Sequence, residues 1–156
     1  FWFSLSFSFR GEKQKAMARI TQCQGYTGER PPAIAKPETP PDPVILTVQD
    51  GVPVAYPNCH GLGVRVVHPV NPKAPSKNLA LVLFYVPPHA SLPPGSHETE
   101  ETYVILEGRG RMTFAHYQRD VSKGDFVYLA PWCEHGIENT GTEPLVVLIA
   151  TSPPNP

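Results

Sequence analysis

No stretch of this sequence repeats its apolar residues at a helical period between recognisable caps, which argues against helix-built architectures at the outset. Long hydrophobic runs are missing too. The longest, Leu79 to Val86, falls well short of the ~20 residues of a membrane span, so no membrane association is expected. Charge of one sign is not in excess: thirteen basic residues stand against fourteen acidic ones. With no basic stripe to follow a phosphate backbone, nucleic acid is not an expected partner. Cysteine is scarce. Cys23, Cys59 and Cys133 form no CxxC pair and are odd in number, which speaks against a disulfide framework and for a reducing, cytoplasmic setting.

Proline, by contrast, is abundant at twenty in 156 residues, and several prolines lie outside the candidate strands, in arms and loops. The length suits one domain with a single core. Phe1 to Phe9 alternates aromatic or Leu with Ser and Met17 resembles an ordinary start. Residues 1–16 therefore read as a non-native or upstream-translated leader lacking the features of a signal peptide, an edge strand being the rival reading. Residues 17–43, with Pro31-Pro32 and Pro40-Pro41, predict an extended proline-rich arm. The domain is expected over 44–152, followed by a loose tail at 153–156.

Within it, Val44 to Val48 predicts a first strand, turned by Asp50-Gly51 onto Val52 to Tyr56. Further strands are expected at Gly61 to His68, Leu79 to Val86, Glu101 to Leu106, Arg111 to His116, Asp125 to Leu129, His135 to Glu138 and Leu145 to Thr151. Breaks fall at Pro87-Pro88, at Gly108 to Gly110 (read as a hairpin), at Lys123-Gly124 and at Thr140-Gly141. Short strands at regular spacing favour an all-β antiparallel sandwich or barrel.

The chemistry gathers in Leu92 to Gly108. His97 and Glu101 stand four positions apart where a proline-rich turn gives way to a strand. By parity Glu101, Tyr103 and Ile105 share a face, and His97 can fold in beside them. His135 begins a later strand. If the strands pair antiparallel in one sheet, two imidazoles and one carboxylate converge, a set suited to a divalent first-row metal with coordination positions left open. Glu98 and Glu100 compete for the carboxylate role but sit in a solvated turn.

At these residues the sequence resembles the cupin superfamily, whose motifs run G-x5-H-x-H-x3 or x4-E-x6-G and G-x5-P-x-G-x2-H-x3-N. His97, Glu101 and Gly108 occupy the second His, the Glu and the closing Gly of the first motif; Gly124, His135 and Asn139 match the second. The first His falls on Gly95 and the opening Gly on His89. The Pro and Gly of the second motif fall on Ala130 and Trp132, with Pro131 one place late. The resemblance covers roughly Asn78 to Thr151 and implies a double-stranded β-helix, or jelly-roll barrel, with the metal inside and a homodimeric assembly.

In most metal-binding cupins three imidazoles and one carboxylate hold the ion. Here His97, Glu101 and His135 resemble the two-His-one-carboxylate set of non-haem iron oxygenases. The expected cofactor is one divalent ion, Fe(II) ahead of Mn(II), Zn(II) or Ni(II), and the expected reaction is oxidation of a small chelating substrate. A redox-neutral lyase, isomerase or decarboxylase, and a non-catalytic binding domain with a degenerate site, are the alternatives. Tyr103 is the candidate catalytic residue, able to orient a substrate or act as an acid, with core packing as the competing role. His89 is a candidate substitute for the missing nitrogen. Arg65 and Arg111 would bind a substrate carboxylate if turned inward, although outward is expected. Cys133 reads as a small buried hydrophobe, Trp132 as an entrance or barrel-end residue, and His60, His68 and His116 as structural.

Overall fold

Seven consecutive residues of Ala80–Val86 bury every second side chain, and Leu145–Ser152 does the same over eight. Two strands of this kind, placed side by side, form the floor of a barrel. In the computed structural model, which describes residues 34–155, the ten strands are β1 (Val52–Val54), β2 (Leu62–Val67), β3 (Ala80–Val86), β4 (Ser91–Gly95), β5 (Glu100–Glu107), β6 (Arg109–Phe114), β7 (Gln118–Ser122), β8 (Phe126–Leu129), β9 (His135–Asn139) and β10 (Leu145–Ser152). They form a six-stranded sheet in the order β1-β2-β3-β10-β5-β8 and a four-stranded sheet in the order β4-β9-β6-β7. All described pairings are antiparallel. Among the described residues the one helical element is a 3-10 turn at Val48–Asp50, and no helix is long and apolar enough to cross a membrane.

The chain divides into two units, Phe1–Pro41 and Asp42–Pro156. Of the first, residues 34–41 are exposed and carry neither helix nor strand. The expected leader at 1–16 and most of the arm at 17–43 lie outside the described residues. In the second unit the inner faces of the strands supply one core, in which Phe84, Tyr103, Ile105, Met112, Leu129, Ile137, Leu145 and Val147 are fully buried. Each aliphatic, Met or Phe side chain taken from water there contributes about 1.5–3 kcal/mol.

Four expectations are corrected. Val44 to Val48 is not a strand. The Asp50 carboxylate accepts from the Thr47 amide and hydroxyl, both at 2.9 Å, and pulls the chain into the 3-10 turn, so that β1 pairs with β2 instead. Leu92 to Gly95, read as a proline-rich turn, is largely strand β4. It is an edge strand, where the missing amides of Pro93 and Pro94 cost least, and its register with β9 shifts between Leu92 and Gly95. Gln118–Ser122 adds an unexpected polar edge strand. Gly108 to Gly110 closes no hairpin, since β5 and β6 belong to different sheets. Gly108, at φ +78, turns the chain from one sheet to the other, and a Cβ there would meet the Pro144 carbonyl at 2.6 Å.

Candidate metal centre

Parity on β5 sends Glu101, Tyr103 and Ile105 inward, and all three are buried. His135 opens β9, paired with Gly95 of β4 on one side and Phe114 of β6 on the other. Glu101 thus belongs to the six-stranded sheet and His135 to the four-stranded one. They meet across the barrel interior and not, as expected, within one sheet. His97 joins from the segment linking β4 to β5, held by its own carbonyl, which accepts from the Trp132 amide at 2.7 Å. Trp132 sits at φ +65, where the family motif has glycine, and its side chain is exposed.

Nε2 of His135 and Nε2 of His97 lie 3.3 and 3.6 Å from the same Oε2 of Glu101. One ligand atom from each residue lies within 4.8 Å of the other two. The His97 approach is too long for a hydrogen bond and the His135 approach is not aligned as one, and Glu101 Oε2 is buried without a hydrogen-bond partner. A buried carboxylate oxygen facing two ring nitrogens is costly unless positive charge stands between them.

The rings are prepared unequally. His135 Nδ1 lies 2.8 Å from the Cys133 carbonyl. Because a carbonyl only accepts, Nδ1 carries the proton, and Nε2 of the neutral ring turns its lone pair to Glu101. Burial pulls the His135 pKa down, but the Glu101 carboxylate and the Cys133 carbonyl outweigh it, and the net direction is up. His97 Nδ1 is buried with no such partner. The donor set, the orphaned carboxylate oxygen and the pre-set tautomer all suit a divalent cation.

The three groups open into a cavity of about 230 Å³ with apolar walls that include Val82, Phe84, Leu92 and Ile149. Gly95 lines it, and a Cβ built there would meet nothing within 4 Å. The place of the family's first imidazole is therefore open space beside His135.

Tyr103 also lines the cavity, its ring edge-on to His135 with centroids 5.6 Å apart. Burial, and secondarily the Glu101 charge, push its hydroxyl well above the usual tyrosine pKa. Arg65, expected to point outward, lines the cavity. No local signal decides this; its register opposite Val82 of β3 does. Arg111 does point outward and pairs with Asp120 at 2.8 Å. His68 is buried at the cavity edge with both nitrogens engaged, by the Val70 amide at 3.2 Å and the Asn155 carbonyl at 2.9 Å. His89 is exposed and absent from the cavity lining, as are His60 and His116. Cys133 is partly buried against the core and serves the centre through its carbonyl.

Asn139 is a structural residue of the second motif. Fully buried, it donates to the Val86 and Glu143 carbonyls, both at 2.8 Å, and accepts from the Gly141 amide at 2.8 Å.

A profile of the cupin domain matches residues 82–151. Over 58 residues, 37% of this chain, the sequence is 47% identical to an uncharacterised protein of Methanocaldococcus jannaschii, and the match spans 46% of that relative's length. Among solved structures the chain is similar to the polyketide cyclase RemF of Streptomyces resistomycificus, with 19% identity over 70% of this chain and 81% of that one and a TM-score of 0.61. It is similar also to a predicted oxalate decarboxylase of Thermotoga maritima, with 21% identity over 69% of this chain and 97% of that one and a TM-score of 0.59. At such identities the likeness shows a shared fold.

Proposed function

We propose, from the match of residues 82–151 to a cupin-domain profile and from the geometry of the centre, that this chain is a mononuclear metalloenzyme oxidising a small chelating substrate. His97, Glu101 and His135 would hold the ion, two neutral nitrogens and one anionic oxygen. Bound there, Fe(II) would supply Lewis acidity and electrons to dioxygen.

The chain's own residues do the rest. The Cys133 carbonyl keeps the His135 lone pair aimed inward, and the Tyr103 ring holds the imidazole edge-on. Phe84, Leu92 and Ile149 help keep water from the cavity. The open space at Gly95 carries this reading, because two histidines and one carboxylate leave more of the coordination sphere to reactants than the family's usual four ligands.

A redox-neutral lyase or isomerase is the second reading, favoured by the buried Tyr103 hydroxyl, which stays protonated and is placed to donate a hydrogen bond to a substrate oxygen beside the site. Elemental analysis after anaerobic Fe(II) reconstitution, followed by oxygen uptake with hydroxy acids, diketones and catechols, separates the two. One iron per chain, lost in His97→Ala and His135→Ala, with substrate-dependent oxygen uptake is the expected result. Stoichiometric metal with no uptake for any of these classes would leave the redox-neutral reading, and no metal at all would sink both.

A further inference from the structure

Register across the six-stranded sheet aligns Arg65 of β2, Val82 of β3, Ile149 of β10 and Tyr103 of β5 in one inward-facing row. In the next row Thr151 lies between Ala80 and the metal-centre carboxylate Glu101. Among the described residues Arg65 is the sole arginine or lysine lining the cavity, and Glu101 the sole carboxylate. Tyr56 stands against Arg65. Burial raises the Tyr56 pKa, while the guanidinium's charge and hydrogen bond work against that rise.

Thr151 is 3% exposed, lines the cavity, and its Oγ1 has no hydrogen-bond partner. A buried hydroxyl left unmatched between Ala80 and Glu101 destabilises the fold, and such a group calls for a ligand or some other explanation. Two strand spacings across the sheet and two residues along the strand, roughly 12 Å in all, separate the backbones of Arg65 and Thr151. A carboxylate lying between an extended guanidinium and the hydroxyl bridges that gap.

We propose that Arg65 and Thr151 form a carboxylate-binding subsite and that the substrate is a small dianionic acid of the dicarboxylate class. One end occupies the open space by Gly95 and the other meets the Arg65 fork and the Thr151 hydroxyl. The substrate class rests on the metal reading above: one carboxylate of the ligand meets the ion while the other meets the subsite, so the ligand carries two carboxylates. The subsite itself does not.

The test uses malonate as probe and malonamide, its uncharged counterpart of similar shape, titrated by calorimetry into full-length protein loaded with redox-inert Zn(II). Malonate binds and malonamide does not. Arg65→Gln weakens malonate at least about tenfold, the scale of a lost charged hydrogen bond, with zinc affinity unchanged. Thr151→Val weakens malonate several-fold and raises Tm, because it deletes an unmatched buried hydroxyl; it carries the test should Arg65→Gln fail to fold. Equal malonate affinity in wild type and variants, with zinc bound in each, overturns the subsite. Should wild type take up no zinc, the metal reading fails separately, and the same comparison in metal-free protein decides: equal binding, or none, overturns the subsite there too.

Discussion

Trp132 does two things at once: its amide anchors the His97 carbonyl, and its backbone occupies the left-handed region at φ +65. A residue with a Cβ loses about 1–2 kcal/mol in that conformation, whereas glycine does not. Trp132→Ala is therefore expected to be about 1 kcal/mol less stable than Trp132→Gly in denaturant titrations, the reverse of the usual order in strands and helices. Gly95 and Gly108 form a second contrast. Gly95→Ala meets no atom within 4 Å and should leave Tm nearly unchanged, while Gly108→Ala meets the Pro144 carbonyl at positive φ and should cost several degrees. Equal effects at the two positions would show that the opening beside His135 is filled in solution.

At the level of elements, Asn139 ties the end of β9 to β3 and to the turn before β10 through three hydrogen bonds. Asn139→Ala is expected to lose about 3 kcal/mol or more, since buried backbone groups lose their partners. The Asp50 turn gives a pH signature. Hydrogen bonds from Lys73 and then Thr47 lower its pKa from 3.8 to about 2. For a depressed carboxyl the stabilisation is present above the unfolded value and is lost as pH falls through the folded one. Asp50→Asn should therefore be less stable than wild type above about pH 4, with the difference gone below about pH 2; a constant difference across that range refutes the assignment.

These same elements show what could be read in advance. Strands β3, β5 and β10 were legible because apolar runs or alternation mark them directly, and the three candidate ligands because their spacing is local to each motif. Strand β4 hid behind Pro93 and Pro94, which an edge position tolerates, and β7 behind a polar face. Which sheet holds His135, and which way Arg65 turns, depend on pairings distant in sequence, and the chain carries no local mark of them.

For the whole molecule, the placement of Glu101 on one sheet and His135 on the other means that an ion held between them would fasten the two layers together. An ion present at a thousandfold over its Kd adds about 4 kcal/mol to stability. A chelator should accordingly lower the Tm of wild type and leave His97→Ala unmoved, and amide exchange should slow on β5 and β9 together when metal is added. Protection gained on one sheet alone would contradict a shared ion.

The vacancy beside Gly95 has a practical corollary at the bench. A cup with three protein donors and one unguarded side trades its contents readily, and the stability order of first-row ions favours copper and nickel over iron. If the three donors hold an ion, material prepared on a nickel column is expected to pick up nickel, and the metal found after purification then reports the history of the sample and not the working ion.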